Sequence, residues 1–138
     1  MATTTATLTL TSTDLLTDSL SLSATSTLYK AGTTTGLDSI QYERLEVAAG
    51  TQYDMIDATS GGANKANKVY VANKHTDATK YVEIYIAALQ IGRLYAGDWA
   101  FFPLEAAAAT QDVGIEAISA AQVVEFALIH EGKTLVAS

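Results

Sequence analysis

The sequence predicts an all-β protein, an antiparallel β-sandwich of jelly-roll-like type with about eight to ten strands and at most one short helix. Three observations lead there. Apolar residues recur at every second position through most of the chain, the period of a half-buried strand, with little sustained helical period. Short runs rich in Gly, Asn, Asp, Ser and Thr separate these segments at the spacing of a sandwich or barrel. Threonine is abundant, and its β-branched side chain suits the open face of a pleated strand. At 138 residues the chain fits one domain, 1–138, with residues 1–17 a candidate extended N-terminal arm. A chain of this length typically buries about two-thirds of the surface its unfolded form exposes.

The elements follow in order. "ATLTLTS" (6–12) sets Leu8 and Leu10 on one face and Thr on the other, and 18–30 repeats the device with Leu20, Leu22 and Leu28. About half of the first 35 residues are Thr or Ser, and residues 1–6 are expected to be a disordered arm. "GTTTG" (32–36) is a loop. Residues 39–50 read as a strand with Ile40 and Tyr42 inward and, after a bulge or bend, Leu45 and Val47 inward too. A short strand at 51–58 precedes a loop at 59–67. Val69 and Val71 alternate with Tyr70 in 68–73. In 80–89, Val82, Ile84 and Ile86 share one face and Tyr81, Glu83 and Tyr85 the other. Residues 91–96 and 99–104 are two strands that meet at a Gly97-Asp98 turn. Trp99 and Phe101 then share one face of the second, with Ala100 and Phe102 on the other. "EAAAATQ" (105–111) suits one or two helical turns after Pro103. Strands at 112–119 and 122–132 end the chain, with Val124, Phe126 and Leu128 alternating against Glu125, Ala127 and Ile129.

Composition removes several classes of function. The formal net charge is -7 and no run of Lys or Arg occurs, so neither nucleic acid nor an anionic membrane is an expected partner. Without Cys there is no disulfide framework, thiolate nucleophile or zinc–thiolate site. No apolar run approaches the roughly 18 residues of a membrane-spanning helix. The start lacks the basic and apolar regions of a signal peptide, so synthesis in a cytoplasm is expected.

No residue set argues for catalysis, and no cofactor is expected. His75 and Asp77 sit in "NKHTDATK", where a polar hairpin loop is the simpler account of the pair. His130 is expected at the surface near a strand end. Asp54 and Asp57 lack the alternating ligand spacing of a calcium loop. Glu43 and Glu46, three apart on a strand, point to opposite faces. "SGGANK" (60–65) lacks the spacing of a phosphate loop. The aromatic residues stand out instead. "GRLYAGDWAFFPL" (92–104) holds the only Trp, the only Pro and two of the three Phe. Core or sheet edge, subunit contact and ligand-stacking surface all remain open for these rings and for the Tyr residues.

A Thr/Ser-rich start, "KYVEIYI" after a strand ending at Asn73, "LYAGDWAFFPL" (94–104), and "VVEFALI" as a strand suited to a sheet edge form a familiar pattern. Over residues 67–131 the chain resembles the small β-sandwich, jelly-roll-like structural proteins of tailed-phage virions, especially capsid decoration (cement) proteins. The resemblance implies a homotrimer, with no enzymatic activity, seated on the outer capsid surface of the virion. There it would bridge copies of the major capsid protein. Under it, Tyr95, Trp99, Phe101 and Phe102 are candidate trimer contacts, and Thr5, Thr7, Leu8 and Leu10 candidate capsid contacts. The alternative from the same pattern is a tail-fibre or receptor-binding domain that recognises glycan.

Overall fold

The computed structural model describes residues 3–14, 19–37, 39–56, 65–105 and 112–131. Ten strands and no helix lie among the described residues. They are β1 (Thr5–Ser12), β2 (Leu20–Thr27), β3 (Ser39–Val47), β4 (Gln52–Ile56) and β5 (Asn67–Asn73), then β6 (Tyr81–Ile86), β7 (Leu89–Tyr95), β8 (Trp99–Leu104), β9 (Val113–Ile118) and β10 (Gln122–His130). The helix expected at 105–111 falls, after Glu105, outside the described residues.

Strands β3 to β6 run out and β7 to β10 run back, each pairing antiparallel with its counterpart: β6 with β7, β5 with β8, β4 with β9, β3 with β10. The long ribbon is rolled so that β10 also pairs with β5 and β9 with β6. Two four-stranded sheets result, ordered β3-β10-β5-β8 and β4-β9-β6-β7. This is the strand order of a jelly roll. Period 2 dictates the core between the sheets. Val69, Val71, Val124 and Leu128 of one sheet are fully buried and meet Val82, Val113 and Ile115 of the other.

A buried polar clamp joins the sheets at one end. The Asn73 side-chain amide donates to the Leu94 carbonyl (2.9 Å) and to Gln122 Oε1 (3.0 Å). Gln122 Nε2 in turn donates to the Tyr81 carbonyl (2.7 Å). Both side chains are fully buried, where an unpaired amide is costly, so each requires the other.

The structure corrects several expectations from the sequence. First, Ile40 and Tyr42 point outward, at 63% and 59% exposure. The register of β3 on β10 is continuous without a bulge, so burial of Val47 fixes even-numbered residues on the opposite face. Second, β10 is central, between β3 and β5, and not an edge strand. Its nearly unbroken apolar run, with Val124, Phe126 and Leu128 in the core and the small Ala127 on the outer face, fits a strand paired along both edges. Third, His130 is buried, its Nδ1 2.9 Å from the Glu131 carbonyl oxygen. The end of β10 lies under the connection from β2 to β3, where the Glu131 carboxylate accepts from the Ala31 N–H and pairs with Lys65 (3.2 Å).

The strand expected to run to residue 89 turns at Ala87 and Ala88, so that Leu89 opens β7. Gly97, at a φ of 90°, makes the turn after β7, but the strands on either side join different sheets. The aromatic stretch therefore crosses from one layer to the other.

Candidate interaction surface

The outer face of the β3-β10-β5-β8 sheet follows from the strand pairings. One row across it reads Tyr42, Ala127, Tyr70, Phe101. The neighbouring row reads Arg44, Glu125, Ala72, Trp99. Ala127 and Ala72 are buried although they point away from the core, because small side chains sit below the level of the flanking rings. Trp99 is 52% exposed and Phe101 39% exposed. A hydrogen bond to Glu125 raises the Tyr42 pKa above its ordinary value, and partial burial raises that of Tyr70.

β1 and β2 form a separate hairpin, and its register sorts the side chains completely. Ala6, Leu8 and Leu10 oppose Ser26, Ala24 and Leu22 on one face; Thr5, Thr7 and Thr9 oppose Thr27, Thr25 and Ser23 on the other. Neither strand contains a charge or a buried residue. Beyond its root Leu28 and Leu37 are buried, with their backbones hydrogen-bonded to each other (3.2 Å), and the Ala31 N–H that follows donates to Glu131 at the end of β10. Near the root the hairpin faces its own sheet across a cleft of about 490 Å³, lined by Ala6, Thr7, Leu8 and Ala24 on one side and Tyr70, Trp99 and Phe101 on the other.

The candidate residues thus divide. Trp99 and Phe101 meet Thr7 and Leu8 in this one cleft, although sequence reading assigned the pairs to different partners. Thr5 lies at the hairpin root and Leu10 farther out, 45% exposed. Phe102 points inward and packs on the core. Tyr95 lies on the outer face of the other sheet, where its ring meets Tyr81 (centroids 5.1 Å apart) and Arg93 stands 4.6 Å above Tyr81. Tyr70 was missed as a site residue. Its alternation against Val69 and Val71 held the signal, but its neighbours Ala127 and Phe101 are distant in sequence.

Asp54, Asp77 and the Glu43/Glu46 pair lie on three different segments, β4, the β5–β6 connection and β3. Asp77 accepts from the Thr79 N–H and hydroxyl, which lowers its pKa and makes the segment a capped turn. Asp54 is exposed on β4, while Asp57 and most of "SGGANK" lie outside the described residues. Glu43 and Glu46 occupy opposite faces of β3. No group of three or more His, Asp or Glu able to hold a metal occurs among the described residues.

No protein-family model matches the sequence, and no curated protein is significantly similar to it. The chain is similar to the solution NMR structure of a de novo designed double-stranded β-helix. It is 16% identical, with 64% of this chain and 96% of that one covered and a TM-score of 0.38.

Proposed function

We propose that the protein is a virion structural protein, a capsid decoration protein that binds the outer capsid as a trimer and stabilises contacts between copies of the major capsid protein. The observation that carries this reading is the uncovered apolar surface formed by the Leu-faced hairpin and the aromatic sheet face beside it. Apolar surface on this scale commonly marks a protein interaction site. A jelly roll hosts many activities, so the fold alone assigns none. A protein that binds only the assembled lattice stabilises it by mass action, and three linked copies add avidity. In this scheme the hairpin, with Thr5, Thr7, Leu8 and Leu10, grips the capsid, while Trp99 and Phe101 serve contacts between copies.

The test is native mass combined with sedimentation on capsids. Trimers that pellet with expanded capsids and raise their melting temperature support the reading; a chain that never pellets with capsids refutes it. One observation favours the second reading, a glycan-binding tail-fibre domain: the polar, aromatic face of Tyr81, Tyr95, Arg93 and Glu83 on the other sheet, since ring faces beside charged groups suit sugars. Retention on a glycan array, lost in Tyr95→Ala and without capsid affinity, decides for that alternative.

A further inference from the structure

We infer that the protein associates with further copies of itself by hairpin exchange: the outer half of the β1–β2 hairpin of one copy lies in the cleft of the next, with Leu10 and Leu22 against Tyr70, Trp99 and Phe101. The inference rests on the self-association in the reading above, but it gives Leu10 to the contact between copies and leaves the opposite, Thr5/Thr7 face of the hairpin for the capsid.

The occupant is identified by four features. First, the chain already matches these two surfaces, because the hairpin root places Ala6, Leu8 and Ala24 opposite Tyr70, Trp99 and Phe101. The pairing is unfinished, since the cleft between them stays open at about 490 Å³. Second, the same apolar face continues past the cleft to Leu10 and Leu22, which are 45% and 53% exposed. Eight residues per strand make a ribbon about 27 Å long at roughly 3.4 Å per residue, long enough to leave its own sandwich. A two-stranded ribbon is marginal in water by itself, so it needs a surface to lie on.

Third, the charges agree. The chain carries a net charge of -7, which opposes association in general, yet both hairpin strands and the Tyr42, Ala127, Tyr70, Phe101 row are uncharged. The nearest charges, Arg44 and Glu125, stand opposite each other in the Trp99 row, so the contact meets a pair of opposite charges and no net one. Fourth, the area fits a weak contact that several copies reinforce. At on the order of 200 Å² per side chain, the exposed fractions of the hairpin leucines of one copy and of Ile40, Tyr42, Trp99 and Phe101 of the next amount to about 700 Å² for one contact. That is about half of the roughly 1,600 Å² in total of a standard stable interface, and closure into a ring adds the contacts together. The contact is heterologous, hairpin to sheet, so it propagates from copy to copy and closes a ring if the rotation permits.

Because the chain has no Cys, single-Cys variants report the contact directly. Full-length Leu22→Cys chains mixed with Phe101→Cys chains and oxidised mildly should give a disulfide-linked heterodimer in several-fold excess over the homodimer of either variant alone. In parallel, Leu10→Thr/Leu22→Thr keeps the strand preference of the ribbon while removing its apolar outer half. Its native mass should fall to that of a monomer at concentrations where the wild type is oligomeric. A wild-type oligomer that the Thr variant leaves intact, with no mixed disulfide, overturns hairpin exchange while self-association stands. A wild type that is monomeric throughout the micromolar range also overturns it, and capsid sedimentation of the same sample then judges the decoration reading separately.

Discussion

Truncating Phe102 and Trp99, three residues apart on one strand, should have different consequences. Phe102 faces inward, packs on the core and pairs across the sheet with the fully buried Val69. Removing a buried Phe side chain costs about 3–5 kcal/mol, and the partial exposure of Phe102 places it near 3. Trp99, 52% exposed on an edge strand, retains only part of its contact area within the chain. A fully buried large apolar side chain contributes about 1.5–3 kcal/mol, so Trp99→Ala should cost about 1. For a chain of 138 residues each kcal/mol corresponds to about 3–4 °C. Phe102→Ala should therefore lower the melting temperature by about 10 °C and Trp99→Ala by about 3 °C. Thermal unfolding followed by circular dichroism at high dilution measures both shifts without association. Repeating it at high concentration, where the proposed self-association would add stability, should widen the deficit of Trp99→Ala alone. Equal shifts at high dilution, or a larger one for Trp99, would refute the assignment of the two faces.

Other substitutions probe the rest of the fold. Gln122→Ala leaves the Tyr81 carbonyl and the Asn73 amide short of a partner and should cost about 2–3 kcal/mol in chemical denaturation. A double-mutant cycle with Asn73→Ala should show coupling of about 1 kcal/mol, and strict additivity would mean that the clamp is not one unit. Ala87 sits at a φ of 52°, where a Cβ is strained, so Ala87→Gly should raise stability by about 0.5 kcal/mol; a decrease would contradict this. The hydrogen bond to Glu83 pushes the Tyr85 pKa up to about 12 from 10.0. The folded chain thus holds this proton longer than the unfolded one: the stabilisation is complete below 10.0 and is lost as the pH rises through about 12. Tyrosinate absorbance should show a late-titrating group that Tyr85→Phe removes.

The sequence by itself determined where strands lie and how most of them are two-sided, because period 2 is a local property. Val69, Val71, Val82, Ile84, Val124, Phe126 and Leu128 are inward as their alternation requires, and Phe102 opposes Trp99 and Phe101. Even the error at Ile40 and Tyr42 was avoidable, since counting back from Val47 without a bulge turns both outward.

What tertiary structure decided is which strands meet. Residues 39–47 pair with residues 122–130, an association that no local window contains. That pairing makes β10 central and buries His130, and the crossing at Gly97 places Tyr95 on one sheet and Trp99 on the other. The stretch "GRLYAGDWAFFPL" looked like one aromatic site because its residues are neighbours in sequence. Rolling the ribbon into two layers divides it into an inward Phe102, a Tyr95 on the far face, and a Trp99–Phe101 pair beside Tyr70 and the hairpin. Side-chain alternation is fixed by backbone geometry within a few residues. The neighbours across a sheet are fixed by how distant segments of the chain bury their apolar faces together.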